Sequence, residues 1–183
     1  MYFQSIAYVM VLMAATLTSG VVVPGGLPDG NWSGKQYLNG TTVTTSLSDP
    51  TIPPIIEHHE FIPNNIHTRG SGSGDCWGYQ LDPASVDEDN RQLQAEVGTL
   101  GYNFCSDSQN AWFGWIVNSV LVYYCIDVTY ECTVINAELI REGMGFMDDI
   151  CAPYEAGWAL DASESVGSRF LMGKCVINSN ICV

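Results

Sequence analysis

The residues of this chain that could carry chemistry fall into four groups, and their spacing separates them at once. Seven cysteines, Cys76, Cys105, Cys125, Cys132, Cys151, Cys175 and Cys182, all lie in the C-terminal two thirds. No CxxC pair occurs, and His58, His59 and His67 precede every cysteine, so a zinc site lacks its ligand spacing. In an exported chain such cysteines read as a disulfide framework. If six of the seven pair, there are about 105 possible arrangements, and one thiol stays free or joins another molecule. Nucleophilic catalysis of the Ser-His-Asp or Cys-His kind needs an imidazole beside the nucleophile. Here all three imidazoles sit in a proline-rich stretch, and the patch Glu57-His58-His59-Glu60 has neither helical context nor further ligands. No metal, no cofactor and no such catalysis is expected.

Carboxylates and aromatics remain. Glycoside hydrolysis requires two acids flanking a bond, and Asp87, Asp89, Glu131, Glu138, Asp148 and Asp149 are the candidates. With 20 acidic against 6 basic residues, pairs arise by chance, and solvated surface is the plainer reading. Asp148 and Asp149 stand out, because the dipole near a helix C-terminus disfavours carboxylates unless a specific hydrogen bond compensates. Trp77, Trp112, Phe113, Trp115, Tyr123, Tyr124, Tyr154 and Trp158 alternate along strand-like runs. Most must fill a core. Those facing outward could stack on sugars or anchor a partner, with Trp112, Trp115 and Trp158 as the candidate contacts.

Residues 1–20 form an apolar run ending in small residues, the pattern of a signal peptide without its basic n-region. The run is shorter than the ~20 residues a bilayer needs, so a secreted protein with no membrane insertion is expected. The net charge of −14 repels phosphate backbones and disfavours nucleic acid as a partner. A monomer is expected. Residues 21–48 read as a leader with a hairpin at Asn39-Gly40, and two glycosylation sequons begin at Asn31 and Asn39. Residues 49–74 read as a Pro/Gly/Ser linker. Arg69, just before Gly70-Ser-Gly-Ser-Gly74, is a candidate processing site.

Residues 75–183 then read as one disulfide-rich domain. Asp82-Pro83 opens a first helix with a buried stripe of Val86, Leu93, Val97 and Leu100, stopped by Gly98 and Gly101. The run from Ala111 to Asp127, broken at Asn118-Ser119, reads as two paired strands. A second helix is expected from about Thr133 to Ile150, and two last strands near 156–160 and 168–177. The order β-α-β-β-α-β-β predicts an α+β fold: a two-layer, disulfide-stapled sandwich of split βαβ type, with two helices on one face of an antiparallel sheet.

Through Cys76-Trp-Gly-Tyr-Gln-Leu-Asp82, Val122-Tyr-Tyr-Cys125, Met147-Asp-Asp-Ile-Cys151 and Gly173-Lys-Cys175, the region from about 74 to 182 resembles small cysteine-rich secreted proteins of filamentous fungi. Its element order is similar to killer-toxin-like effector domains. The resemblance implies an extracellular, non-enzymatic effector or elicitor acting on host or competitor cells. Its partner would be a host protein or a cell-wall glycan. The chain departs from the killer toxins in its acidity and odd cysteine count, which puts channel blocking in doubt. The alternative is an extracellular carbohydrate-binding module or small glycoside hydrolase, motivated by the aromatics and carboxylates.

Overall fold

The computed structural model describes residues 20–59, 74–108, 110–126, 132–161 and 170–182. The described chain forms β1 (Val21–Val22), β2 (Gly30–Gln36), β3 (Thr41–Ser46), β4 (Ile55–His58), β5 (Gly74–Gln80), α1 (Pro83–Val97), β6 (Tyr102–Cys105), β7 (Asn110–Val117), β8 (Val120–Ile126), β9 (Cys132–Ile135), α2 (Ala137–Ile150), β10 (Glu155–Asp161), β11 (Phe170–Val176) and β12 (Asn180–Ile181). β7 and β8 are apolar on both faces, and every residue of β8 is buried. A strand apolar on both faces has to be covered twice, and the architecture follows from that requirement.

Eight antiparallel strands make one sheet in the order β4-β3-β2-β7-β8-β11-β10-β5. β7 and β8 form a hairpin around Asn118 and Ser119, whose φ angles of 50° and 68° match the left-handed pair of a type I′ turn. Side chains alternate strictly along β8. Val120, Val122, Tyr124 and Ile126 face one core with Val86, Leu93, Ile140 and Met144 of the two helices. Leu121, Tyr123 and Cys125 face the other, with Val21, Ile181 and Cys182 of the terminal segments. Helices thus cover one face, and the small β1–β12 pair covers part of the other.

On that second face one register row runs Trp158, Gly173, Tyr123, Gly114, Trp32 across five strands. Large rings alternate with glycines, so each ring lies over a neighbour that has no side chain. A Cβ at Gly173 would come within 2.3 Å of the Tyr123 ring, and one at Gly34 within 2.0 Å of Trp112 Nε1. Such contacts cannot form without displacing the rings.

Local signals set the helices. Asp82 caps α1, its carboxylate accepting from the Ser85 N–H at 2.9 Å and the Ser85 hydroxyl at 2.7 Å, with proline at the first turn and Gly98 at the end. Asn136 caps α2 through the Leu139 N–H at 2.8 Å. α2 therefore starts later than expected. Residues 132–135 are instead strand β9, paired with β6.

Three bridges are present, Cys76–Cys151, Cys105–Cys132 and Cys125–Cys182. Cys175 is free and buried, and burial pushes its thiol up to about 12. They span 75, 27 and 57 residues of sequence. By loop-closure entropy each removes roughly 3.5 to 4.5 kcal/mol of freedom from the unfolded chain.

The expected two-layer α+β sandwich is corrected by this architecture. The protein is mostly β, twelve strands against two helices among the described residues, with an eight-stranded sheet whose central strands are covered on both sides. The physical reason lies in residues 21–48. Their Thr, Ser and Gly content reads as a leader, yet β2 pairs with β7 over seven residues and buries Trp32 in the core. Small polar residues suit a strand whose neighbours supply the large rings. All but the last residue of the expected signal peptide, 1–20, and the expected processing site Arg69 lie outside the described residues.

No cysteine lies in residues 20–59, so this part is joined to the rest by the sheet and by one chain connection. If the chain is cut at a protease site engineered between residues 59 and 74, the two fragments should co-elute under native conditions. They should separate in denaturant without reductant. An N-terminal fragment that leaves a still-folded remainder in native buffer would contradict this placement.

Candidate functional site

At the β5 edge of the sheet, side chains from both helices and two strands converge. The Tyr154 backbone carbonyl accepts from the Leu81 N–H at 2.8 Å, and Tyr154 sits at φ 63°, a conformation that non-glycine residues adopt only under constraint. Its phenol donates to Asp87 Oδ2 of α1 at 3.4 Å. The Asp87 charge, then desolvation and the hydrogen bond, with the Asp148 charge of α2 adding, raise the phenol above its ordinary value. Trp77 and Tyr79, their ring centroids 6.4 Å apart, are partly buried against the same helix-side core as Tyr154. Glu155 closes the group: its carboxylate accepts from the Gly78 N–H at 3.1 Å and the Ala152 N–H at 3.2 Å. The Cys76–Cys151 bridge ties β5 to the end of α2 beside them.

Lys174 of β11 was not singled out by sequence. It points to the helix side and is 1% exposed, yet its ammonium reaches Asp148 Oδ1 at 2.5 Å. That contact explains the acid at the C-terminal end of α2: a buried cation, not the dipole, decides its position. A lysine inside the apolar run Phe170–Val176 was the available signal. Tyr154 carried none beyond being aromatic.

The remaining candidates are dispersed. Trp112 is fully buried and Trp158 nearly so, both in the second core, which removes them as outward contacts; alternation puts them on the covered face. Trp115 is partly buried against the helix-side core. Glu138 pairs with Arg141 on the exposed face of α2, and Asp149 is exposed. Asp89 is fully buried on the inner side of α1. Glu131, His67 and Glu60 lie outside the described residues. His58 shares a hydrogen bond with Thr41 Oγ1 at 3.0 Å, and His59 lies 3.3 Å from Glu57 Oε2, both at the opposite sheet edge. Among the described residues no three His, Cys, Asp or Glu side chains are grouped to hold a metal.

The chain matches no family model, no curated protein and no solved structure.

The two sequons differ. Asn39 lies exposed in the β2–β3 turn, its Oδ1 accepting from the Thr41 N–H at 3.0 Å. Asn31 is buried on the helix side, opposite Trp115, where a glycan has no room in the folded chain. Peptide mass spectrometry of material secreted from a eukaryotic host should therefore find sugar at Asn39 and none at Asn31. Occupancy of Asn31 in folded protein contradicts its placement.

Breaking the Lys174 pair from its two sides should give unequal results. Asp148→Ala takes the partner from a buried ammonium; because Asp148 itself is 43% exposed, water can replace part of the contact, and the cost should be about 2 kcal/mol. Lys174→Met replaces the same volume without charge and should stay within about 1 kcal/mol of wild type. Urea denaturation of both variants checks this; equal losses would contradict it.

Proposed function

We propose that the chain is exported and acts outside the cell by binding, as a disulfide-stapled, non-enzymatic effector or elicitor of the kind filamentous fungi release onto host or competitor cells. Three bridges support an oxidising compartment. No described helix is long and apolar enough to cross a membrane.

One observation carries the non-enzymatic reading. Among the described residues, the carboxyl whose proton affinity is raised as a general acid's would be, Asp89, is sealed inside the core where no substrate reaches it. At the open edge, Asp87 accepts from Tyr154 and Asp148 is held by Lys174. What this edge offers is a surface of aromatic rings rimmed by carboxylates, suited to contact a partner.

Infiltration of the oxidised protein into leaf tissue, beside a reduced and alkylated control, tests the effector reading. A defence response to the oxidised form alone is expected. No response, or an equal one to the unfolded control, contradicts it.

A second reading, a carbohydrate-binding module, is favoured by one arrangement: Trp77 and Tyr79 lie side by side on the edge strand β5, and Tyr154, packed on the same core, donates to Asp87. Glycan-array binding lost in a Trp77→Ala/Tyr79→Ala variant that remains folded supports it. Absence of any glycan binding by wild type removes it.

A further inference from the structure

We propose that Asp89 is a proton-dependent clasp: α1 stays seated on the sheet while the Asp89 carboxyl is neutral, and loosens when the proton is lost, taking Asp87 away from Tyr154.

Asp89 lies on the inner side of α1, in line with Ser85, Val86, Leu93 and Val97, and is fully buried. Among the described residues neither of its carboxyl oxygens has a hydrogen-bond partner. A charged carboxylate so buried, with no counter-ion among the described residues, costs several kcal/mol or more unless the group neutralises.

The described residues around it are apolar or of its own sign. Phe113 of β7, Val122 and Tyr124 of β8, and Ile140 and Met144 of α2 belong to the same core as the neighbouring α1 residues. Tyr124 is the titratable group among them; burial raises its phenol far above its ordinary value, and it donates to Thr133. The charges that act on Asp89 are Asp29, in the turn before β2, and Glu88, its neighbour on α1, both of its own sign. Across the sheet, the buried thiol of Cys175 on β11 feels the Asp89 charge. Burial first, then these two acids, raise the Asp89 carboxyl to about 9.

α1 is also tied to the sheet through a chain of polar contacts that ends one turn from Asp89. The Asn118 amide donates to Ser85 Oγ at 3.3 Å, and the Asn118 N–H donates to Asp29 Oδ1 at 2.8 Å. Loss of the Asp89 proton places a new negative charge beside this link and the Asp29 carboxylate. The far side of the same helix carries Asp87, whose contact with Tyr154 helps build the exposed edge. A proton on the inner side of α1 and the surface on its outer side are coupled through one rigid element.

The sign follows from linkage. In the unfolded chain this carboxyl has lost its proton above about pH 4, the ordinary aspartate value. The folded form keeps it until about pH 9. Across that window the native state binds one more proton, so stability is full below the unfolded value and falls as pH rises toward the folded one.

The test is equilibrium urea denaturation between pH 5.5 and 8, with hydrogen exchange of the α1 amides, for wild type and Asp89→Asn. In wild type the unfolding constant should rise about tenfold per pH unit, about 1.4 kcal/mol. The α1 amides should exchange faster, beyond the chemical rate increase, than those of β7 and β8. Asp89→Asn should remove most of the slope. If that variant does not fold, infrared spectroscopy of wild type decides: a protonated-carboxyl band in the folded protein at pH 7 supports the clasp. A flat wild-type profile, an unchanged slope in Asp89→Asn, or absence of that band overturns it.

Discussion

The structure depends on the two-sided burial of the β7–β8 hairpin. With apolar side chains on both faces, this pair cannot stop at one covering layer. α1 and α2 close one face, and the terminal strands pack on the other. The sulfurs hold covering elements to the sheet: Cys125–Cys182 fixes the C-terminus to the central strand, and Cys76–Cys151 fixes the end of α2 to the edge strand. Cys105–Cys132 joins the small β6–β9 ribbon. Bridges so placed act where secondary structure alone leaves covers only loosely attached, and they raise stability by restricting the unfolded chain.

Within the sheet, glycine and aromatic residues solve a packing problem together. Strands of ordinary residues would set side chains of similar size next to each other on one face. Here Trp158, Tyr123 and Trp32 occupy one row with Gly173 and Gly114 between them. The arrangement gives large rings the area of two positions each. It also explains why a chain with so many aromatics shows few of them on its surface, and why Trp112 and Trp158 serve the core.

Sequence patterns revealed the parts governed by local rules. Asp82-Pro83 and Gly98 marked both ends of α1, and Asn118-Ser119 marked the hairpin turn, because caps and tight turns are set by adjacent residues. Patterns failed where distant strands decide. Gly30–Gln36 and Thr41–Ser46 carry too few apolar residues to announce a core sheet; they join it because β7 offers Trp112 and Phe113 across the register. The same limit hid the edge site. Asp87, Asp148 and Tyr154 are far apart in sequence, and Lys174 gains its meaning only when β11 lies beneath α2. The odd position of Asp148 was legible; the cation that accounts for it was not.

A non-reducing peptide map of the native protein, with alkylation before and after unfolding, probes the pinning of the covering layers by sulfur. Cys76 should be joined to Cys151, Cys105 to Cys132 and Cys125 to Cys182, with Cys175 alkylated only after unfolding. Cys125 and Cys182 recovered as free thiols from fully folded material, or Cys175 in a bridge, would contradict it.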